Sequence, residues 1–590
     1  MKHLFKFLIG ASFAFASLTV LARPYVGDTH QVKQPNGDLV SVKLYGDEFY
    51  MDAESVDGYT VVVDDSTKYV CYASVTADEK EYTSTGIVYD GNSIPSLLKQ
   101  VLKPHVRISE ESASEKKNAM KQRLSVPKQT TSLRSATALP DTVYGVCVLI
   151  DFPETKSDVS IDQIATFFNS DTEALFGNTM SVKKYFQWIS GGKLTYINYI
   201  PKDFYTAENS LSYYSPSTAT EYTTELFYPE IEKALKSYTK EKDGFDVTDL
   251  TTKDGAIRAI NVYYAGTCTN EWATGLWPHK GGYQFDLTEF GFYRWAYHSY
   301  QMSDIGKELL LGTVVHENGH LLCDWPDFYT YDGHSDNNAS VYNIGDAFSI
   351  FSEKEPAYPN PWALDKMGWL SNKIDITDYD NGKLVTLTEG VGNVAVYRGE
   401  NNSNQEKYYL EIRDGYQTDY WNKTSEHGIF IWHSNDAGDN TYEGNAELLD
   451  CKPATTSNPF WTKYNGPEIF CDSLLPYATW VNGTASGAYL WDFSEPGQTM
   501  TFRCGKMASN VSVEEVESNP SFSIYKTENA FELTTQEDFS VAVFNVNGTM
   551  IEQFKADRDA SVAFGSDYSQ GVYLVRLSNA DSSKTVKLIK

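Results

Sequence analysis

The sequence predicts a multidomain α+β protein, with a mixed α/β domain flanked by β-rich domains. Three observations predict it. The first is length: 590 residues suffice for about four domains and a sizeable buried core. The second is alternation of apolar and polar residues in short runs broken by Gly and Asn, found towards both ends of the chain. The third is a middle stretch where apolar strand runs give way to helical periodicity. The 41 Tyr suit strands better than helices.

The elements follow in chain order. Residues 1–22 open with Met1-Lys2-His3 and turn apolar over 7–21, the pattern of a secretory signal peptide cleaved after Ala22. That run is short for a membrane span, and no span is expected once it is removed. In residues 23–106, Val40, Val42 and Leu44 alternate with Ser41 and Lys43, and 61–63 and 69–72 repeat the strand pattern. Residues 107–138 are rich in Ser, Glu, Lys and Gln and hold no aromatic residue, which reads as an exposed linker. Lys121, Arg123, Lys128 and Arg134 make it a cleavage target, so the layout is that of a zymogen; an ordinary linker fits the composition equally well.

Residues 139–370 mix a buried strand (143–152), helices (161–168 and 182–189) and another strand (259–264). Residues 371–515 read as an all-β accessory region, with strands at 384–387, 408–412 and 428–432. Residues 523–590 read as a small β-sandwich. Its signals are a hairpin at Asn547-Gly548 and strands at 571–577 and 585–589.

The formal charge of −30 excludes nucleic acid and anionic membranes as partners. Acidity would suit Ca2+, but no EF-hand loop stands behind that ion. The 7 Cys are sparse and odd in number, so no disulfide scaffold is expected. A pairing of Cys451 with Cys471 or Cys504 is left open by the sequence, and Cys147 reads as core.

The chemistry lies in His316-Glu317-Asn318-Gly319-His320, preceded by the apolar Leu309, Leu310, Leu311, Val314 and Val315. On a helix begun near Ser303 or Asp304, both histidines project from one face, one turn apart. Two imidazoles so placed hold one Zn2+, with Glu317 as general base. Asp324-Trp325-Pro326-Asp327 then breaks the helix, and an acidic side chain there can turn back towards the metal.

These pieces together resemble the M6 family of secreted bacterial metallopeptidases, the immune inhibitor A group. The resembling segments are Cys147 through Pro153, Ser181 through Phe186 with Gly192-Lys193-Leu194, and Gly275-Leu276-Trp277-Pro278-His279. Asn360-Pro361-Trp362, Met367-Gly368-Trp369, Tyr409-Leu410-Glu411 and Gly428 through His433 continue the series. The resemblance implies a zincin/metzincin-like catalytic domain over 139–370 and zinc-dependent hydrolysis of protein or peptide substrates.

The family motif runs H-E-x-x-H-x-x-G-x-x-D. Here Cys323 and Pro326 stand in the Gly and Asp slots, and the nearest match is shifted by one residue. Pro326-Asp327-Phe328-Tyr329 resembles the family's Pro-Asp-Leu-Tyr. Asp327 is therefore favoured as third ligand after His316 and His320, with Asp324 in the tight turn; Asp324 as ligand is the competing assignment. Where the family places a Met beneath the zinc, this chain has Phe351. Tyr329 and Tyr342 are candidate donors to the oxyanion, although packing explains each more simply. For His279, holding a loop by hydrogen bonding is favoured over lining the cleft.

Residues 23–106 resemble the pro-domain of related secreted peptidases, an intramolecular partner. A Cys71 thiolate on the zinc would be one blocking device, but a strand cysteine is the simpler reading. The C-terminal segment, with Gly571-Val572-Tyr573 and Lys584 to Lys587, resembles a type IX secretion sorting domain. That implies secretion machinery as a partner and a secreted or cell-surface location in a bacterium. The rival expectation is a non-catalytic surface protein that binds partners through its β domains.

Overall fold

The computed structural model describes residues 25–590 except 48, 65, 125–138, 140, 217–222, 251–255, 268–274, 295, 327, 329–353, 400–401, 403–404, 415–426, 439–447, 456–457, 506–512, 520, 528–529, 547 and 581. The expected signal peptide (1–22), Lys128, Arg134, Asp327, Tyr329, Tyr342 and Phe351 lie outside the described residues. The chain divides into two compact units, Met1–Tyr379 with Lys383–Gly505, and Lys506–Lys590 with Asp380–Gly382.

The first unit opens with a meander: β1 (Tyr25–Lys33), β2 (Leu39–Asp47), β3 (Tyr50–Ser55), β4 (Thr60–Val63), β5 (Val70–Val75) and β6 (Tyr82–Val88) pair in sequence order. The alternating Val40, Val42 and Leu44 are buried on one face, as period-two strands require. The chain then crosses back over this sheet. Arg107 places Nη2 2.7 Å from Glu54 and Nε 3.3 Å from Asp52, and the Tyr45 ring packs on its guanidinium.

Residues 110–124 are not extended linker. They form α1 (Glu110–Leu124), built of good helix formers, with Met120 packed on the meander's core and Lys117 buried.

A mixed sheet follows, in the order β11-β12-β10-β7-β8, with β9 paired to β7. Its strands are β7 (Thr142–Asp151), β8 (Thr195–Tyr199), β9 (Tyr205–Thr206), β10 (Ile260–Tyr264), β11 (His279–Tyr283) and β12 (His298–Asp304). All pairings are parallel except the antiparallel edge strand β11. Strand β7 is buried on both faces: Val143, Cys147 and Leu149 enter one core, and Val146, Val148 and Ile150 enter another. On the first face pack α2 (Ile161–Asn169), α3 (Val182–Ile189) and α5 (Leu311–Cys323); on the second packs α4 (Tyr228–Ser237). Ser160 with Gln163 makes a capping box on α2, and Ser181 caps α3.

Helix α6 (Pro361–Lys366) leads into two facing sheets. One is β13-β15-β16-β17-β18: Asn372–Asp375, Asn393–Tyr397, Lys407–Asp414, His427–Ser434 and Leu449–Cys451. The other is β14-β21-β20-β19: Lys383–Thr388, Thr499–Cys504, Tyr489–Trp491 and Ile469–Cys471. The first sheet has two apolar faces. Ala395, Leu410 and Ile431 fill the sandwich, while Val396, Tyr409 and Trp432 join the core that holds α5. The all-β region is thus fused to the mixed-sheet body through a shared core. Cys451, Cys471 and Cys504 are free thiols, so neither of the pairings left open by the sequence forms.

The second unit holds β22 (Val513–Asn519), β23 (Phe522–Thr527), β24 (Phe531–Thr535), β25 (Phe539–Asn545), β26 (Met550–Ala556), β27 (Ser561–Phe564), β28 (Val572–Ser578) and β29 (Ser583–Ile589). They form two four-stranded sheets, β22-β23-β24-β27 and β26-β25-β28-β29, around a common core. This sandwich begins by residue 513, ten residues before the sequence reading placed it, because β22 pairs with β23. No helix among the described residues is long and apolar enough to cross a membrane.

Candidate metal centre

Helix α5 begins at Leu311, not near Ser303 or Asp304, which complete β12. Its N-cap, Leu310, has no capping side chain. Asn178, from the loop before α3, does that work instead. Its Oδ1 accepts from the Leu311 amide at 2.9 Å, and its Nδ2 donates to the Leu309 carbonyl at 2.9 Å.

The helix is also fixed in rotation. Asn318 is wholly buried; its Oδ1 accepts from the Tyr196 hydroxyl at 2.8 Å and its Nδ2 donates to the Val314 carbonyl. The Tyr196 hydroxyl in turn accepts from Asn261 Nδ2 at 2.7 Å, and Asn261 Oδ1 accepts from Gln301. This polar network clamps one face of α5 to β8, β10 and β12. His316 and His320 each lie about 200° round the helix from Asn318, so they occupy the other face.

There the two imidazoles converge. Their Nε2 atoms are 3.0 Å apart, with ring centroids at 4.6 Å and ring planes at 89°. His316 and Glu317 are buried, and His320 is partly buried. His320 Nδ1 donates to the Trp325 carbonyl at 2.5 Å. A carbonyl only accepts, so Nδ1 carries the proton and Nε2 presents its lone pair. Two nitrogens bound to one tetrahedral zinc stand about 3.3 Å apart, close to the separation seen. A carbonyl fixing the tautomer of a ligating histidine is the usual supporting contact. The two nitrogens therefore fit two of the four positions around a zinc ion.

The turn after the helix is equally defined. Asp324 adopts φ 51° and ψ 33°, the left-handed conformation that Asp tolerates better than most residues. Its carboxylate lies 3.9 Å from Lys280 of β11. Trp325 donates from Nε1 to the Ala363 carbonyl at 3.1 Å and stacks edge-on with Trp369. Phe328 is buried against Trp362. Asp327 thus lies in chain order between two anchored aromatics. Cys323 ends the helix, and loss of water pushes its thiol well above the ordinary range.

Sequence reasoning missed three supporting groups: Asn178, the Trp325 carbonyl, and the buried pair Glu411–Arg413. Glu411 accepts at 2.8 Å from both Arg413 Nε and Trp432 Nε1, while Arg413 donates to the carbonyls of Tyr358 and Pro359. That holds the chain entering α6. His279 is buried 3.0 Å from the Tyr300 hydroxyl and hydrogen-bonds the Trp277 carbonyl, a structural position. Cys71 is buried in β5, and burial raises its thiol pKa, against a thiolate role. Among the described residues, no group of three or more His, Cys, Asp or Glu side chains converges.

Residues 526–590 match the family model of the secretion system C-terminal sorting domain. The match covers β24 to β29 and reaches into β23. The chain ends in a type IX sorting domain. It implies interaction with that secretion machinery and a secreted or cell-surface protein of a bacterium. No curated protein matches the chain.

Proposed function

We propose that the protein is a secreted zinc-dependent endopeptidase of the M6 type, made as a zymogen, with His316, His320 and Asp327 holding the metal. The observation that carries this reading is the convergence of two histidine Nε2 atoms at 3.0 Å beside buried Glu317. A purely binding protein has no chemical need for all three side chains together. The sorting domain supports an extracellular site of action. Asp324 stands in a left-handed turn 3.9 Å from Lys280, and Asp327 is kept as the third ligand that the resemblance to Pro-Asp-Leu-Tyr implies.

Zinc, when bound, supplies Lewis acidity that polarises a peptide carbonyl and acidifies water. Glu317 takes the proton of the attacking water and returns it to the leaving amine. The Trp325 carbonyl keeps His320 in the tautomer that presents Nε2. Edge strand β11 offers an extended substrate a strand to pair with.

The test is zinc content and casein hydrolysis of the activated chain beside Glu317→Ala. We expect about one zinc per chain in both. Hydrolysis should fall by roughly 10²- to 10⁴-fold in the variant. Equal hydrolysis would remove Glu317 from the mechanism; a metal-free chain would end the peptidase reading in favour of a binding protein. Asp327→Ala should lose more zinc than Asp324→Ala, and the reverse ranking would move the third ligand.

A further inference from the structure

We infer that Trp277 is the anchor by which the N-terminal unit, β1 to α1, stays bound to the body of the protein after the chain between them is cut. Release of that unit, not cleavage, then becomes the step that opens the β11 edge. What release uncovers rests on the peptidase reading; the anchoring does not.

Two consecutive residues face two different cores. Leu276 is buried with Tyr264 and Met302 in the mixed-sheet body. Trp277, wholly buried, belongs to the core of the N-terminal meander with Val40, Val42, Leu44, Val61 and Tyr72. The backbone between them is bolted to the body. The Gly275 carbonyl accepts from Thr224 Oγ1 at 3.0 Å, the Leu276 amide donates to Ser215 Oγ at 3.0 Å, and the Leu276 carbonyl accepts from the Tyr264 hydroxyl at 3.1 Å.

The indole itself is pre-set. It stacks on the His279 ring at 4.3 Å and 26°, and His279 Nδ1 donates to the Trp277 carbonyl at 2.7 Å. His279 Nε2 accepts from Tyr300 on β12. A large aromatic held rigidly by one partner and sunk in the core of the other is the form of an interface hot spot.

A second contact runs parallel to it. Helix α1 packs against both β3 and β11. Strand β11 is the edge of the mixed sheet, yet its Gly281 and Gly282 are buried. An uncovered edge is a template for an added strand, and α1 packs beside this one. While the chain is intact, the tether keeps the unit at an effective concentration near millimolar. After a cut within residues 125–138 that tether is gone, and among the described residues the Trp277 and α1 contacts still join the two parts.

The experiment uses the full chain with a site-specific protease sequence placed within residues 125–138. The cut protein is run by gel filtration at micromolar concentration, and reassociation is measured by titration. The wild-type fragment should co-elute with the body. Trp277→Ala should weaken reassociation by about 30- to 1,000-fold. Trp277→Leu, which refills part of the pocket, should weaken it by about tenfold and decides the matter if the alanine variant does not fold. A fragment that leaves the cut wild-type protein freely, or that either folded variant retains at wild-type affinity, overturns the inference. The readout needs neither metal nor activity, so its failure and that of the peptidase reading are separable.

Discussion

His279 illustrates how one side chain can serve the site from a distance. Burial pushes its pKa down to about 4 from an ordinary 6.5. The neutral ring is the one that accepts from Tyr300 and donates to the Trp277 carbonyl. A depressed histidine pKa means the unfolded chain binds the proton first. Stability is therefore complete above about pH 6.5 and is lost as pH falls towards 4, by on the order of 3 kcal/mol. We expect the urea midpoint to fall across that window in the wild-type protein. His279→Gln should be less stable at pH 7.5 but flatter between pH 6.5 and 4; parallel curves would refute the assignment. At this scale the convergence of His316 and His320 was legible in the sequence, because i, i+4 histidines meet on any helix. The Trp325 carbonyl and Asn178 were not. A carbonyl has no sequence signature, and Asn178 stands 133 residues from the amide it caps.

At the scale of elements, α5 depends on groups outside itself. Its N-terminus has a remote cap, and its orientation is set by the Tyr196–Asn318 bond. Asn178→Ala should cost about 1–2 kcal/mol of stability, the usual cost of a lost cap. On the peptidase reading proposed above, it should also weaken zinc retention under a graded chelator, since the helix that carries His316 starts at the capped amide. An unchanged urea midpoint would show that water replaces the amide. The strands were largely readable: β7, β10, β16 and β28 lie where apolar runs or alternation placed them. Helix α1 was not, because its sequence has helix-forming residues but no apolar stripe. Met120, packed on the meander, supplies the contact that local periodicity does not show.

At the scale of the molecule, two separable units carry separate tasks. The sorting sandwich has its own core, so its loss should leave the body folded. We expect a chain ending at Gly505 to keep the unfolding midpoint of the full body while accumulating inside the cell envelope. Fractionation of cells expressing both chains checks this, and equal export would remove the sorting role. By contrast, residues 372–504 form no detachable accessory domain. Their first sheet turns one apolar face to α5 and α6, so deleting it would strip the core that holds Trp325 and Phe328. Strands at 408–412 and 428–432, within β16 and β17, were readable from the sequence, but an apolar run buried on both faces does not say what covers each face.

The sequence by itself determined the β-rich ends, the helix bearing the two histidines, the acidic surface and the terminal sorting signal. Each depends on composition or on residues a few positions apart, where periodicity and spacing suffice. Only the tertiary structure decided that Asn178 caps the helix of His316 and His320, that the two sheets of 372–504 belong with the body, and that Trp277 completes the core of a sheet some 200 residues earlier. Those are contacts between surfaces far apart in the chain. An apolar residue records that it will be buried, but not against what.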